Sequence, residues 1–109
     1  MDNSKPIKEH LANFNIAGFT YYDGAEAFPE LKMGLELNIA IEDENKFDAR
    51  AVLISYKNWK LGYVPREHNR IFYKLLKVGM ENIKVRVQGL DKSGHPEGQV
   101  RVVAHLVGD

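Results

Sequence analysis

With 109 residues, 44% of them apolar, and equal numbers of basic and acidic side chains, the sequence has the size and composition of one domain, residues 1–109, built on a single core. No apolar run approaches the roughly 20 residues of a membrane-spanning helix. The opening MDNSKPIKEH is charged where a secretion signal is apolar, so a cytoplasmic protein with no membrane partner is expected. The chain has no cysteine, which excludes disulfides and thiolate metal sites. Its four histidines, His10, His68, His95 and His105, are too dispersed to form a ligand pair on one helical turn, so neither a metal nor a cofactor is expected.

Charge is balanced overall but uneven along the chain. Residues 1–55 hold 5 basic and 10 acidic side chains, and residues 56–109 hold 10 basic and 5 acidic, a distribution that permits a basic face on a neutral protein. The aromatic and β-branched run FNIAGFTYY, residues 14–22, ends at the turn signal Asp23-Gly24 and predicts a strand. AEAFPELKMG is expected to hold a short helical turn. In LELNIAI, residues 35–41, Leu35, Leu37, Ile39 and Ile41 alternate with Glu36, Asn38 and Ala40, the period of a half-buried strand. An acidic loop carrying Glu42, Asp43, Glu44 and Asp48 follows. AVLISY and KLGYV read as two strands turned at Lys57-Asn58-Trp59, and NIKVRVQGL and QVRVVAHLV as a further pair joined by the loop DKSGHPEG.

One segment reads as a helix. Pro65 suits its first turn and Gly79 its end. At about 100° per residue, Ile71, Phe72, Leu75, Leu76 and Val78 fall on one side and Arg66, Arg70, Lys74 and Lys77 on the other. The basic stripe is expected to face solvent, either as a solvated surface or as a phosphate-binding one. The fold expected is mainly β (α+β): a small antiparallel β-barrel, OB- or SH3-like, of five to six strands with one main helix. Such barrels bind single-stranded nucleic acid or oligosaccharide across one face.

Catalytic motifs are lacking. No GxSxG, HExxH or Walker-type GxxxxGK[ST] occurs, and no activated nucleophile can be nominated, so the chain does not read as an enzyme. The acidic loop fails as a calcium site because an EF-hand loop requires glycine at its sixth position and alternating oxygen donors, where this loop has Phe47 and Asp48.

Taken together, IAGFTYYDG, Gly34 with LELNIAI, EDENKFDARAV and KLGYVPRE resemble the HIRAN domain family over roughly residues 14–80. That family runs apolar-Gly-x-x-Tyr-Tyr, then a strand ending in Arg-Glu-Pro, then Asn-Pro-Tyr-Asp-x-Asn-Ala-Ile, then Gly-Tyr/His-Val/Leu-Pro before a helix. Here Ile41 replaces the arginine, Asp43 and Lys46 the prolines, Phe47 the tyrosine and Arg50 the second asparagine.

The resemblance implies a non-catalytic barrel that captures the 3′ end of single-stranded DNA. Asp48 is then the acceptor of the terminal 3′-hydroxyl, and Tyr21, Tyr22 and Phe47 supply stacking faces. Asn45 matches the signature asparagine and is counted with the nucleic-acid-binding residues, its alternative role being to build the loop; Tyr63 takes the family's His/Tyr position, and Arg66 is placed to meet a phosphate. Thr20 stands where a DNA-binding member has a phosphate-engaging arginine. A helicase or nuclease encoded elsewhere is the protein partner the resemblance suggests. The competing class is a protein-interaction or adaptor barrel that accepts a peptide strand at an exposed sheet edge.

Overall fold

The computed structural model describes residues 7–95 and 98–108. Residues 1–6, which hold most of the charged opening, Pro96-Glu97 in the loop before the last strand, and Asp109 lie outside the described residues.

The described residues form one six-stranded sheet of β1 (Ile7–Asn15), β2 (Glu36–Ile41), β3 (Val52–Tyr56), β4 (Trp59–Tyr63), β5 (Ile83–Leu90) and β6 (Val100–Gly108). Its order is β1-β6-β5-β2-β3-β4, antiparallel throughout. A short α1 (Gly24–Ala27) lies between two 3-10 turns, Phe19–Tyr21 and Phe28–Glu30, and the main helix is α2 (Arg66–Lys77). Among the described residues no helix is long and apolar enough to cross a membrane.

Period-two alternation makes the strands. On β5, Ile83, Val85 and Val87 point into the core, while Lys84 and Arg86 point outward and meet Glu36 of β2 across the ladder. Val100, Val102 and Ala104 of β6 and Val52 and Ile54 of β3 extend the same buried layer. Phe72 of α2 and Phe19 of the first 3-10 turn are fully buried against it. Each such side chain contributes about 1.5–3 kcal/mol of apolar burial.

The sheet curls but does not close by a continuous ladder. Beyond β1, the Ile16 N–H donates to the Val100 carbonyl, and Ala17 then exchanges both backbone hydrogen bonds with Tyr63 of β4 at 2.9 Å each. The chain therefore steps from one edge of the sheet to the other, and that bridge is the closure. Gly62 makes it possible. A Cβ there would lie 2.2 Å from the Ala17 carbonyl oxygen, and its φ of +140° is one that L side chains rarely adopt.

Two expectations are corrected. The strand expected over residues 14–22 ends at Asn15, because Gly18 takes a left-handed φ of 74° and starts the 3-10 turn that carries the tyrosines. On the helix, Phe72 is buried and Leu75 and Leu76 pack on the core, but Ile71 is 44% exposed and Val78, past the last helical residue, 78% exposed. The inner face is centred instead on Asn69 and Phe72. The basic stripe of Arg66, Arg70, Lys74 and Lys77 is exposed as expected.

Candidate nucleic-acid interface

Three segments converge beside the closing bridge: the 3-10 turn after β1, the β2–β3 loop, and the corner between β4 and α2. The first is fixed on β4 by Asp23, whose N–H donates to the Lys60 carbonyl and whose Oδ2 accepts from the Lys60 N–H, each at 2.9 Å. That clamp holds Tyr21 and Tyr22 edge to face with centroids 4.9 Å apart, and Tyr22 against Tyr63 at 5.6 Å.

The second segment is folded by its own asparagine. Asn45 Oδ1 accepts from the N–H groups of Phe47 and Asp48 at 2.8 and 2.9 Å, while its Nδ2 donates to Glu42 Oε1 at 3.0 Å. The turn swings Phe47 outward, where it is 88% exposed. Asp48 turns inward. Its Oδ1 accepts from the Arg50 N–H at 2.9 Å, and its Oδ2 accepts from Asn69 Nδ2 at 2.8 Å and faces Arg66 Nε at 3.5 Å. An ionised carboxylate has about four acceptor positions. Capacity for a further donor remains.

The third segment supplies the floor and one wall. The Tyr63 hydroxyl donates to Glu42 Oε1, and Arg66 Nη2 donates to the Phe47 carbonyl at 2.9 Å, so the corner is tied to the acidic loop at both ends. The Lys60 ammonium lies 4.2 Å from the Tyr22 ring centroid and 4.9 Å from that of Tyr63, with Glu42 Oε2 at 3.8 Å. Burial opposes charge on Glu42, but the hydrogen bonds from Tyr63 and Asn45 and the Lys60 ammonium outweigh it and hold its carboxyl below its ordinary pKa. Burial and the Glu42 hydrogen bond push the Tyr63 hydroxyl up. The pair is therefore a neutral phenol donating to a carboxylate at neutral pH.

Together these segments line a cleft of about 440 Å³. Seven of the eight residues singled out in the sequence line it: Tyr21, Tyr22, Asn45, Phe47, Asp48, Tyr63 and Arg66. Thr20 is exposed on the adjoining turn and is not part of the lining. Two further residues, which no sequence motif singles out, organise the site. Asn69, only 5% exposed, anchors Asp48, and Lys60 lies under the tyrosines. Asn69 is a polar residue on an apolar helix face, which is a signal; Lys60 is an ordinary strand lysine with none.

The family model of the HIRAN domain matches residues 10–108 of this chain, spanning every segment of the cleft. The chain belongs to the HIRAN domain family. HIRAN domains are nucleic-acid-binding domains rather than catalytic ones. No curated protein matches the sequence significantly. Among solved structures, the chain is similar to the crystal structure of a protein from Lactobacillus plantarum, at 20% identity with a TM-score of 0.79, over 96% of this chain and 100% of that one. At that identity the likeness concerns the fold.

Proposed function

We propose that this HIRAN domain binds single-stranded DNA and seats a free 3′ end in the cleft. The observation that carries the reading is the pair of aromatics at its mouth. Tyr21 and Phe47 are 82% and 88% exposed, on two different loops, one held to β4 through Asp23 and the other by hydrogen bonds to Asn45. Large aromatics left in water on rigid supports offer stacking faces, and base stacking contributes about 1–3 kcal/mol per base without sequence preference.

Asp48 supplies the end recognition. A terminal hydroxyl donates to its carboxylate, whereas a 3′-phosphate brings negative charge against negative charge. Arg66, beside Asp48, meets the first internucleotide phosphate, and Thr20 offers a hydroxyl on the adjoining turn. Asp43 and Glu44, exposed on the same loop, weaken attraction of the remaining backbone. A helicase or nuclease acting on the same DNA is the partner that an end-binding domain would serve.

Chemical-shift mapping with a short oligonucleotide tests the location. Perturbations confined to residues 20–22, 45–48 and 63–66 are expected. Perturbations along the outer edge of β1 instead, or binding of peptide and not of DNA, would establish the adaptor reading.

A further inference from the structure

Beside the cleft, and sharing Phe47, Asp48 and Arg66 with it, lies a second depression of about 370 Å³ whose remaining walls include Arg50, Asn69 and Arg70. It gathers three guanidinium groups around one carboxylate. That carboxylate, Asp48, is already engaged by Arg66 and Asn69. Arg50 and Arg70 are exposed, and their side chains have no ion-pair or hydrogen-bond partner among the described residues. Arg50 stands two residues beyond Asp48 on the signature loop, and Arg70 one helical turn beyond Arg66, about 6 Å along the axis. Lys74 lies a further turn on, in a depression that also holds Arg70, with Glu67 among its lining residues. Cations brought together without counter-charges repel one another, and an anion that bridges them relieves the repulsion.

We infer that Arg50 and Arg70, continued by Lys74, form a phosphate track that leads out of the cleft and carries the sugar-phosphate backbone 5′ of the seated end. This rests on the cleft being the end-binding site. Each turn of α2 presents one cation at a spacing comparable to the phosphate step of an extended strand, and Arg66 is the junction between cleft and track. The direction follows from charge. The alternative exit, a larger groove of about 690 Å³ that also borders Pro65, offers Arg101 as its one added cation; Glu67 lines both this groove and the depression holding Arg70 and Lys74, so it does not distinguish them. Volume favours that groove, but a polyanion is drawn by positive charge, and the track adds three cations, Arg50, Arg70 and Lys74, where the groove adds one. The track also assigns a role to Arg50, which departs from the asparagine that resemblance to the family would place there.

The test is fluorescence anisotropy of the full chain with single-stranded oligonucleotides of about 3 and about 9 nucleotides, each with a free 3′-hydroxyl, between about 50 and 200 mM salt. The longer strand is expected to bind more tightly and with the steeper salt dependence. In the Arg50→Ala/Arg70→Ala variant its log–log salt slope should fall by about 0.7 for each phosphate no longer neutralised, and its affinity should approach that of the short strand. Binding of the short strand should be unchanged. Arg50→Lys/Arg70→Lys should keep most of the slope, since charge rather than fork geometry is what the track supplies. Equal affinity for both lengths would overturn the track and leave the cleft standing. Loss of the length effect in Arg101→Ala, and not in the Arg50/Arg70 variant, would route the strand through the other groove and overturn it as well. Failure of both strands to bind would overturn track and cleft together.

Discussion

Asn69 Nδ2, on the buried face of α2, donates to Asp48 Oδ2 on the β2–β3 loop at 2.8 Å. The helix thus aims the carboxylate proposed to read the DNA end, and the loop is held to the body of the fold through a side chain 21 residues away in sequence. Replacing Asn69 by Ala removes a buried donor and leaves Asp48 with weaker support from Arg66. A loss of about 1–3 kcal/mol in urea unfolding is expected, with a drop in DNA affinity larger than that of a solvent-side helix substitution such as Lys77→Ala.

Phe47 separates binding from stability. Its ring is almost wholly in water, so Phe47→Ala should change unfolding free energy by no more than about 0.5 kcal/mol. Loss of a stacking face should cost about 1–3 kcal/mol of affinity for single-stranded DNA, from about fivefold to more than about a hundredfold. Urea melts and anisotropy on the same preparation check both halves. A stability loss without an affinity loss would make the ring a packing element.

The opposite pattern is expected of Gly62. A methyl group there meets the Ala17 carbonyl and the Ile16 side chain at distances no native packing tolerates. Gly62→Ala should destabilise by several kcal/mol. Amide exchange at Ala17 and Tyr63, whose N–H groups form the closing bridge, should rise before that of β5 and β6.

Glu42 predicts a pH dependence. Its folded-state pKa lies below the ordinary value of 4.5, so the unfolded chain binds the proton more readily than the folded one. The stability it contributes is present above pH 4.5 and is lost as pH falls through the depressed folded value. Denaturant midpoints of the wild type and of Glu42→Gln, measured from neutral pH down to about 3, should converge as acid is added. A constant gap across that range would remove Glu42 from the electrostatics of the site.

The sequence makes some of this architecture legible and hides the rest for physical reasons. β2, β3, β5 and β6 show themselves by alternation because each has one face in the core and one in water. The first strand does not. Residues 7–10 are exposed on a sheet edge, and their pairing with β6 joins chain segments at opposite ends of the sequence, which no local pattern encodes. Tyr21 and Tyr22 carry high β-propensity, yet Gly18 and the Asp23–Lys60 clamp place them on a turn, so tertiary constraint overrides preference. The signature loop is readable because Asn45, Phe47 and Asp48 form a local motif whose hydrogen bonds run over a few residues. The Asp48–Asn69 and Glu42–Tyr63 bonds depend on the finished fold.

Recognition of a free 3′-hydroxyl by the cleft is tested most directly by keeping the protein intact and changing only the DNA. Three otherwise identical single strands, ending in a 3′-hydroxyl, a 3′-deoxy sugar or a 3′-phosphate, compete for the wild-type domain. Binding strongest for the hydroxyl, roughly tenfold or more weaker for the deoxy end, and weakest for the phosphate is the predicted order, since a hydrogen bond to a charged group contributes about 1.5–3 kcal/mol. Equal affinity for all three would contradict end recognition.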